Sequence, residues 1–401
     1  MKPDAAIDIV RRLREQNFVA YLVGGCVRDM VMKIEPSDYD IATSARPDEV
    51  MRIFPRTQAV GAKFGVVLVI YRGHPFEVAT FRSDRAYIDG RRPSSVVFTD
   101  AKEDVQRRDF TINGLLYDPI QEKVIDYVGG QKDIEAKLVR AIRDPRERFS
   151  EDKLRILRAV RFSARFRFTI EPATWQAMRE MAPQIHQVSS ERIRYELVRI
   201  LTEGQAAYGI RLLHESGLRQ EILPELEWNE HIDRSLQLLR PGGADDFATA
   251  VLLHDLPPEQ TGAITERLKF SRAEMHHIVA LVENLPKFSE VPQMSISSLK
   301  RLFRLARFED HLELARIHAI AGETDLFACD LASRRYAEWS LEEIAPKPLI
   351  SGEDLIKLGF SPGPRFREIL TRVEDEQLEG RLSTAQEAID FVSANYGEGK
   401  S

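Results

Sequence analysis

Only two cysteines occur in 401 residues, Cys26 and Cys329. Thiols so far apart in sequence make no disulfide framework, and a reducing compartment is the simpler expectation. No apolar run approaches the ~20 residues needed to span a bilayer. The first residues, Met1-Lys2-Pro3-Asp4-Ala5-Ala6-Ile7-Asp8, lack the apolar core of a signal peptide. The expectation is a cytoplasmic protein with no membrane partner. Positive charge is not in excess either: 57 basic residues stand against 63 acidic ones, a net charge of −6. That total argues against a nucleic-acid binder, but a local basic groove would escape it. An apolar content of 43% with 30% charged residues fits a folded globular chain. The length allows about two to four domains.

What is present begins with a strand-like run, Phe18–Val23, that ends in Gly24-Gly25. Glycines there permit a tight turn and close approach to a ligand. A helical pattern over about 25–33 follows, so its first N–H groups face the turn, a setting suited to a triphosphate. Arg28 lies in the first helical turn and can add a charge-assisted contact. Asp38-Tyr39-Asp40 comes next. On a strand, residues two apart point to the same side, so both carboxylates would share one face. Two parallel carboxylates favour a cation between them, and Mg2+ takes carboxylates while keeping positions for phosphate oxygens.

A helix is predicted over Pro47–Phe54, then strands near 57–61, 65–72 and 75–82. Glu77 sits in the third strand. It can serve as a third acid, orient an arginine, or simply face solvent. Residues 83–104 read as a polar loop carrying Arg85, Tyr87, Asp89, Arg91 and Arg92; long loops without structure are often functional. Arg107-Arg108-Asp109-Phe110-Thr111-Ile112-Asn113 then reads as a strand or buried turn, with arginines that bind phosphates or pair with Asp109. A further strand ends in Gly129-Gly130.

From about residue 134 the pattern becomes helical. Residues 139–168 hold ten basic and four acidic side chains, a local surplus that would attract a polyanion. Asp152, Arg155 and Arg158 recur every three residues and, on one helix, would share a broad face. A carboxylate accepts from an exocyclic amino group, and an arginine donates to a ring nitrogen. Cytosine and adenine both offer that pair of partners, whereas uracil and guanine do not. An Asp/Arg pair would thus accept C and A.

Taken in order, Gly24-Gly25-x-x-Arg28-Asp29, Asp38-x-Asp40, Arg107-Arg108-Asp109-Phe110-Thr111-Ile112-Asn113, Gly129-Gly130-x-x-Asp133, Glu151-Asp152-x-x-Arg155 and Glu191-Arg192-Ile193-Arg194-x-Glu196 resemble the class II tRNA nucleotidyltransferases and their bacterial poly(A) polymerase relatives. The likeness covers roughly residues 18–202 and continues in Leu349–Leu355 and Gly359–Pro364. It implies an α+β fold: a nucleotidyltransferase (DNA polymerase β-like) head with a mixed β-sheet at 1–140, then an all-α neck at 141–202, body at 203–345 and tail at 346–401. It implies Asp38 and Asp40 as Mg2+ ligands and catalytic acids. Gly25 and Arg28 would contact the triphosphate. Arg108, Asp152, Arg155, Arg158 and Arg161 would form the nucleotide pocket, with Asp152 and Arg155 as the protein template. Glu77, Arg107, Asp109, Asn113 and Glu151 are candidates for support, and Arg85, Asp89, Arg91 and Arg92 for a flexible loop that favours A addition.

The implied reaction is stepwise addition of C, C and A from CTP and ATP to the tRNA 3′ end, with tRNA contacts in the tail. Addition of A alone, or of poly(A), is the enzymatic alternative. A non-catalytic RNA-binding protein is the alternative of another class, and the intact acidic pair speaks against it. His231, His254-Asp255 and His276-His277 resemble an HD phosphohydrolase domain, but the Gly-Lys that usually follows His-Asp is missing. The expectation there is a helical body without a working metal site. Arg301, Arg304 and Arg307 read as a solvated face rather than a tRNA stripe, and Trp228 and Trp339 as core.

Overall fold

The computed structural model describes residues 2–61, 65–84 and 96–397. The chain separates into two compact units. One comprises Met1–Trp228, Leu239–Ala248 and Ile264–Phe270; the other comprises Asn229–Leu238, Thr249–Ala263 and Ser271–Ser401.

The first unit opens with helix α1 (Lys2–Glu15), whose buried stripe runs through Ala6, Ile9, Val10 and Leu13. Strand β1 (Ala20–Val23) leads into α2 (Gly25–Val31), followed by β2 (Asp40–Thr43) and α3 (Pro47–Ile53). The apolar runs then give β3 (Thr57–Gly61), β4 (Val66–Tyr71) and β5 (His74–Thr80). Residues 83–104, expected as one loop, are not one. Arg82–Asp84 (β6) pairs antiparallel with Val96–Phe98 (β7), and α4 (Ala101–Gln106) follows, capped by the Asp100 carboxylate. The β-favouring run Val96-Val97-Phe98 supplies one strand of the ribbon, and an acidic N-cap starts the helix. Arg85, Asp89, Arg91 and Arg92 lie outside the described residues. The segment 107–114 is not a strand: Thr111–Asn113 forms a single 3-10 turn before β8 (Leu115–Asp118) and β9 (Lys123–Asp126).

Seven strands join in the order β3-β4-β5-β2-β1-β8-β9. The β2–β5 pair is parallel and the other neighbours are antiparallel, so the sheet is mixed. Ile9, Leu13, Leu22, Ile41, Val67, Phe76 and Val78 meet in one buried cluster. Their alternation puts Asp40 and Glu77 on the face of these paired strands opposite that cluster. The register Ile41↔Val78 makes Asp40 and Glu77 direct neighbours.

After β9 come α5 (Gly130–Glu135), α6 (Pro145–Glu151), α7 (Leu154–Phe166), α8 (Pro172–Met181) and α9 (Ser190–Thr202). The segment 145–166 is two helices, not one. Asp152 sits at the break in extended conformation and so is not on a shared helical face with Arg155 and Arg158.

The second unit is helical. Glu230–Gln237, Arg272–Asn284, Ile296–Phe303, Phe308–Ala321 and Phe327–Glu338 precede the last helices, Pro364–Leu378 and Ala385–Tyr396. Ile350, Leu355, Phe360, Ile369, Val373, Ala388 and Val392 form a cluster beneath these last helices. Arg301 and Arg304 are held by Glu374, and Arg301 also by Asp375, so this stripe is neutralised within the unit. Trp339 is half-buried against Phe303 with Lys300 over its ring, and Trp228 in the first unit is half-buried beside His214.

Candidate active site

The site starts where β1 ends. Gly24 takes φ 74° and ψ −129°, and its N–H donates to Leu115 O at 3.1 Å. A Cβ there would stand 2.9 Å from Arg108 Nη1. The positive φ is what favours glycine here; a Cβ would only displace the tip of the Arg108 side chain. Gly25 opens α2 directly beyond it.

Arg28, expected to contact a triphosphate, follows on α2, and its guanidinium is engaged by neighbouring side chains. Arg28 is 4% exposed. Its Nε and Nη2 donate to Asp29 Oδ1 at 2.9 and 2.7 Å, and Nη1 donates to Asn113 Oδ1 at 2.6 Å. Its guanidinium lies over the Phe166 ring at 4.6 Å. Burial lowers its pKa from the ordinary arginine value, with Asp29 opposing. The side chain thus braces the Gly24-Gly25 turn against the 3-10 turn.

From Asn113 the network continues inward. Asn113 Nδ2 donates to Asp109 Oδ1 at 3.0 Å, and Arg158 pairs with Asp109 Oδ2 at 2.6 Å. Burial alone would raise the Asp109 carboxyl. Arg158, the Asn113 amide and Arg155 outweigh it and hold this acid well below the usual carboxylate range. Arg158 also approaches Glu196 at 3.7 Å. Arg161 donates to Glu196 at 2.7 Å and to Glu203 at 3.2 Å. Arg161 and Glu196 are both buried. Much of the basic surplus at 139–168 is therefore folded inward as ion pairs rather than displayed as a stripe.

Arg107 and Arg108 do not pair with Asp109. Both turn back to the buried Asp104, at 2.8 and 3.2 Å. Arg108 nevertheless keeps Nη1 against the Gly24 backbone, and its charge acts on Asp40.

Asp40 is the first residue of β2. Although solvent reaches it, the surrounding protein strips part of its hydration, and Glu77 and Asp38 add like charge. Its carboxyl is pushed up to about 6, with Arg108 opposing. Asp38 lies just before the strand, largely exposed, and Lys2 Nζ is 2.6 Å from its Oδ1. The two acids therefore do not project from one strand as expected: Asp38 precedes β2 and Asp40 opens it. Three crowded carboxylates with unfavourable mutual charge fit a divalent cation, because oxygen donors suit hard ions and the cation removes the repulsion.

Asp152 and Arg155, expected to read the base, are placed by the helix break. Asp152 Oδ2 accepts from Arg192 Nη2 at 2.7 Å, and Asp152 Oδ1 accepts from Leu154 N at 3.1 Å. Arg155 is buried. It donates to Glu151 Oε2 at 2.6 Å, Arg148 O at 2.9 Å and Arg107 O at 3.3 Å. Asp152 and Arg155 are thus each fixed by other partners. Sequence reasoning assigned no role to Arg192 or Glu196. Their signal was their place in Glu191-Arg192-Ile193-Arg194-x-Glu196, which carries one residue to Asp152 and the other to Arg158 and Arg161.

A mixed sheet whose strand edge gathers acids beside a glycine turn, continued by an arginine-rich helical segment, defines a nucleotidyltransferase of α+β fold. Known proteins agree in detail. Residues 20–140 match the Poly A polymerase head domain, 167–229 the probable RNA and SrmB-binding site of polymerase A, and 245–392 the tRNA nucleotidyltransferase domain 2. The CCA-adding enzyme of Levilactobacillus brevis is 34% identical over 389 residues, 96% of each chain. That of Geobacillus thermodenitrificans is 34% identical over 97% of this chain and 96% of its own. The crystal structure of the Bacillus stearothermophilus CCA-adding enzyme in complex with CTP covers all of both chains with a TM-score of 0.83 at 29% identity. The chain belongs to the CCA-adding enzyme family of tRNA nucleotidyltransferases. Nucleotidyltransferases of this family use divalent metal. Among the described residues, no helix is long and apolar enough to cross a membrane.

Proposed function

We propose that this protein adds C, C and A, from CTP and ATP, to the 3′ end of tRNA with release of pyrophosphate. The observation that carries the reading is the end-to-end match: 34% identity to a CCA-adding enzyme over 96% of both chains. Residues 1–140 act as catalytic head, 141–202 as neck, 203–345 as body and 346–401 as a tRNA-binding tail.

Mg2+ held by Asp38 and Asp40, in a two-metal arrangement, would neutralise triphosphate charge and lower the pKa of the primer hydroxyl. The chain's own residues do the rest. The Gly24-Gly25 turn lets backbone approach the triphosphate closely, and Arg108 beside it takes a phosphate oxygen. Arg28 holds that turn in place through Asn113. Glu77 crowds Asp40 and so strengthens its hold on a cation. Asp152 accepts from the amino group of cytosine or adenine while Arg155 donates to the ring nitrogen. Arg158 and Arg161, anchored by Asp109 and Glu196, fix the wall of this pocket. The primer 3′-hydroxyl attacks the α-phosphorus, the bond to the bridging oxygen breaks, and pyrophosphate departs. Catalysis is positioning and charge neutralisation, so no histidine base is needed.

The test is to supply tRNA lacking CCA, tRNA ending in CC, and oligo(A), each with CTP or ATP. Sequential incorporation of CTP and then ATP is the expected result. Incorporation of ATP alone would move the assignment to A addition, or to poly(A) synthesis if oligo(A) is extended.

A further inference from the structure

The second unit holds a cluster that the transferase chemistry does not use. His231 comes from the helix Glu230–Gln237, His254 and Asp255 from the end of Asp245–Leu253, and His318 from Phe308–Ala321. One ligand atom from each lies within 4.8 Å of all the others. The ring centroids form a triangle of 5.1, 4.8 and 5.3 Å. The sequence showed three of the four; His318, more than sixty residues after His254, was not legible as their partner.

The protonation pattern is that of a ligand set. His254 Nδ1 lies 2.7 Å from Val251 O, so it carries the proton and donates, and Nε2 keeps the lone pair. The side chain is fully buried, and among the described residues Nε2 has no hydrogen-bond partner, with Asp255 Oδ1 3.4 Å away. His231 places Nδ1 2.9 Å from Asp255 Oδ2 and Nε2 3.2 Å from His318 O. Both of those partners are acceptors. As a neutral imidazole His231 donates to one of them and turns a lone pair towards the other, a mismatch that a proton or a metal cation would remove. Among the described residues, the adjoining cleft has Asp255, Glu283 and Asp325 in its lining and no lysine or arginine. Its field attracts cations and gives an anionic substrate no partner.

The geometry points to a binding site for a first-row transition-metal dication, zinc by preference, held by His231, His254, Asp255 and His318. Imidazole nitrogen selects such ions over magnesium, which prefers oxygen. A tetrahedral site with bonds of ~2.0–2.1 Å needs ligand atoms about 3.4 Å apart, which modest side-chain rotations achieve from the present spacing. Three imidazoles and one carboxylate fill four positions, so the role is structural and no reaction is assigned.

The experiment uses untagged full-length protein, stripped with chelator and reloaded with ZnCl2 in millimolar magnesium. After gel filtration, metal is counted by mass spectrometry, and Co2+ substitution is read by visible absorption. About one zinc per chain is expected, with a tetrahedral Co2+ spectrum. His231→Gln and His318→Gln should each lower zinc retention at least tenfold, whereas Asp40→Ala should keep it. These two histidines avoid the fully buried His254, whose replacement threatens folding. Circular dichroism of both variants confirms the fold. Absence of retained zinc in the parent protein overturns the proposal, as does equal retention in the folded histidine variants, loss in Asp40→Ala, or displacement by magnesium.

Discussion

Asp152 Oδ2 accepts a 2.7 Å hydrogen bond from Arg192 Nη2, and the two residues are forty positions apart on separate helical segments. The acid proposed to read the base is therefore aimed by a residue on α9, not by its own helix. A hydrogen bond between charged groups contributes about 1.5–3 kcal/mol. Arg192→Ala should lower kcat/KM for CTP and ATP by roughly ten- to a hundredfold and raise the share of UTP and GTP incorporated. Arg192→Lys should restore part of the selectivity. Steady-state kinetics with all four triphosphates is the check. Unchanged discrimination in Arg192→Ala would show that Asp152 needs no such support.

Asp40 has a second, separable signature. Burial and the charges of Glu77 and Asp38 raise its folded pKa to about 6, above the ordinary ~3.9 of an unfolded aspartate. For a raised carboxyl the unfolded state binds fewer protons, so above about pH 4 this group lowers stability, fully so above pH 6. Asp40→Asn should abolish nucleotide incorporation yet raise the melting temperature at pH 7 in metal-free buffer. Millimolar magnesium should raise the melting temperature of the parent protein and leave that of the variant nearly unmoved. tRNA binding should persist in gel-shift titrations. A variant that melts lower than the parent without metal would contradict the crowding of acids at this edge.

Asp109 carries the opposite sign. Arg158, Asn113 and Arg155 hold its carboxyl far down. Its contribution is present above the unfolded value near 3.9 and is lost only as pH falls through and below it. Removing one member of a buried pair strands the other charge, at a cost of about 3–5 kcal/mol. Asp109→Asn should destabilise the first unit by about that amount at pH 7, measured by urea unfolding, and the difference should shrink towards pH 3. Because Asn113 also holds Arg28, the variant should weaken triphosphate binding as well. Equal unfolding midpoints at pH 7 would remove Asp109 from the frame of the site.

The extent to which the chain could be read without coordinates follows from the range of each interaction. The Gly24-Gly25 turn and the strand Val66–Tyr71 are local signals, and each appears in place. The failures are cases where a distant partner decides. The hold of Asn113 on Arg28, eighty-five residues away, has no local signal in the sequence. The spacing Asp152-x-x-Arg155 suggested one helical face, yet the chain breaks at Asp152, where its carboxylate caps Leu154 N. Arg301 and Arg304 read as a solvated face, but acids seventy or more residues later neutralise them. Periodicity reports which residues share an element, not which charges meet across elements.

A last prediction concerns pH and the helical unit. His311 is 2% exposed, and its Nδ1 has no hydrogen-bond partner. Burial, the neighbouring His277 ring, Lys287 and Arg307 push its pKa down to about 4, against the pull of Asp310. The unfolded imidazole titrates near 6.5. Between those values the unfolded state binds more protons, so stability is complete above about pH 6.5 and falls as pH drops towards 4. At about 1.4 kcal/mol per pKa unit, the loss is on the order of 3 kcal/mol. His254, with a pKa also near 4, shares this window. His311→Phe keeps an aromatic ring of similar size and removes the proton site, so it should reduce the pH slope by about half. Hydrogen exchange of the amides in Phe308–Ala321, followed from pH 7 to pH 4.5 after correction for intrinsic rates, reads this directly. The parent protein should lose protection across that range and the variant should lose less. An identical loss in both would place the acid sensitivity of this unit elsewhere.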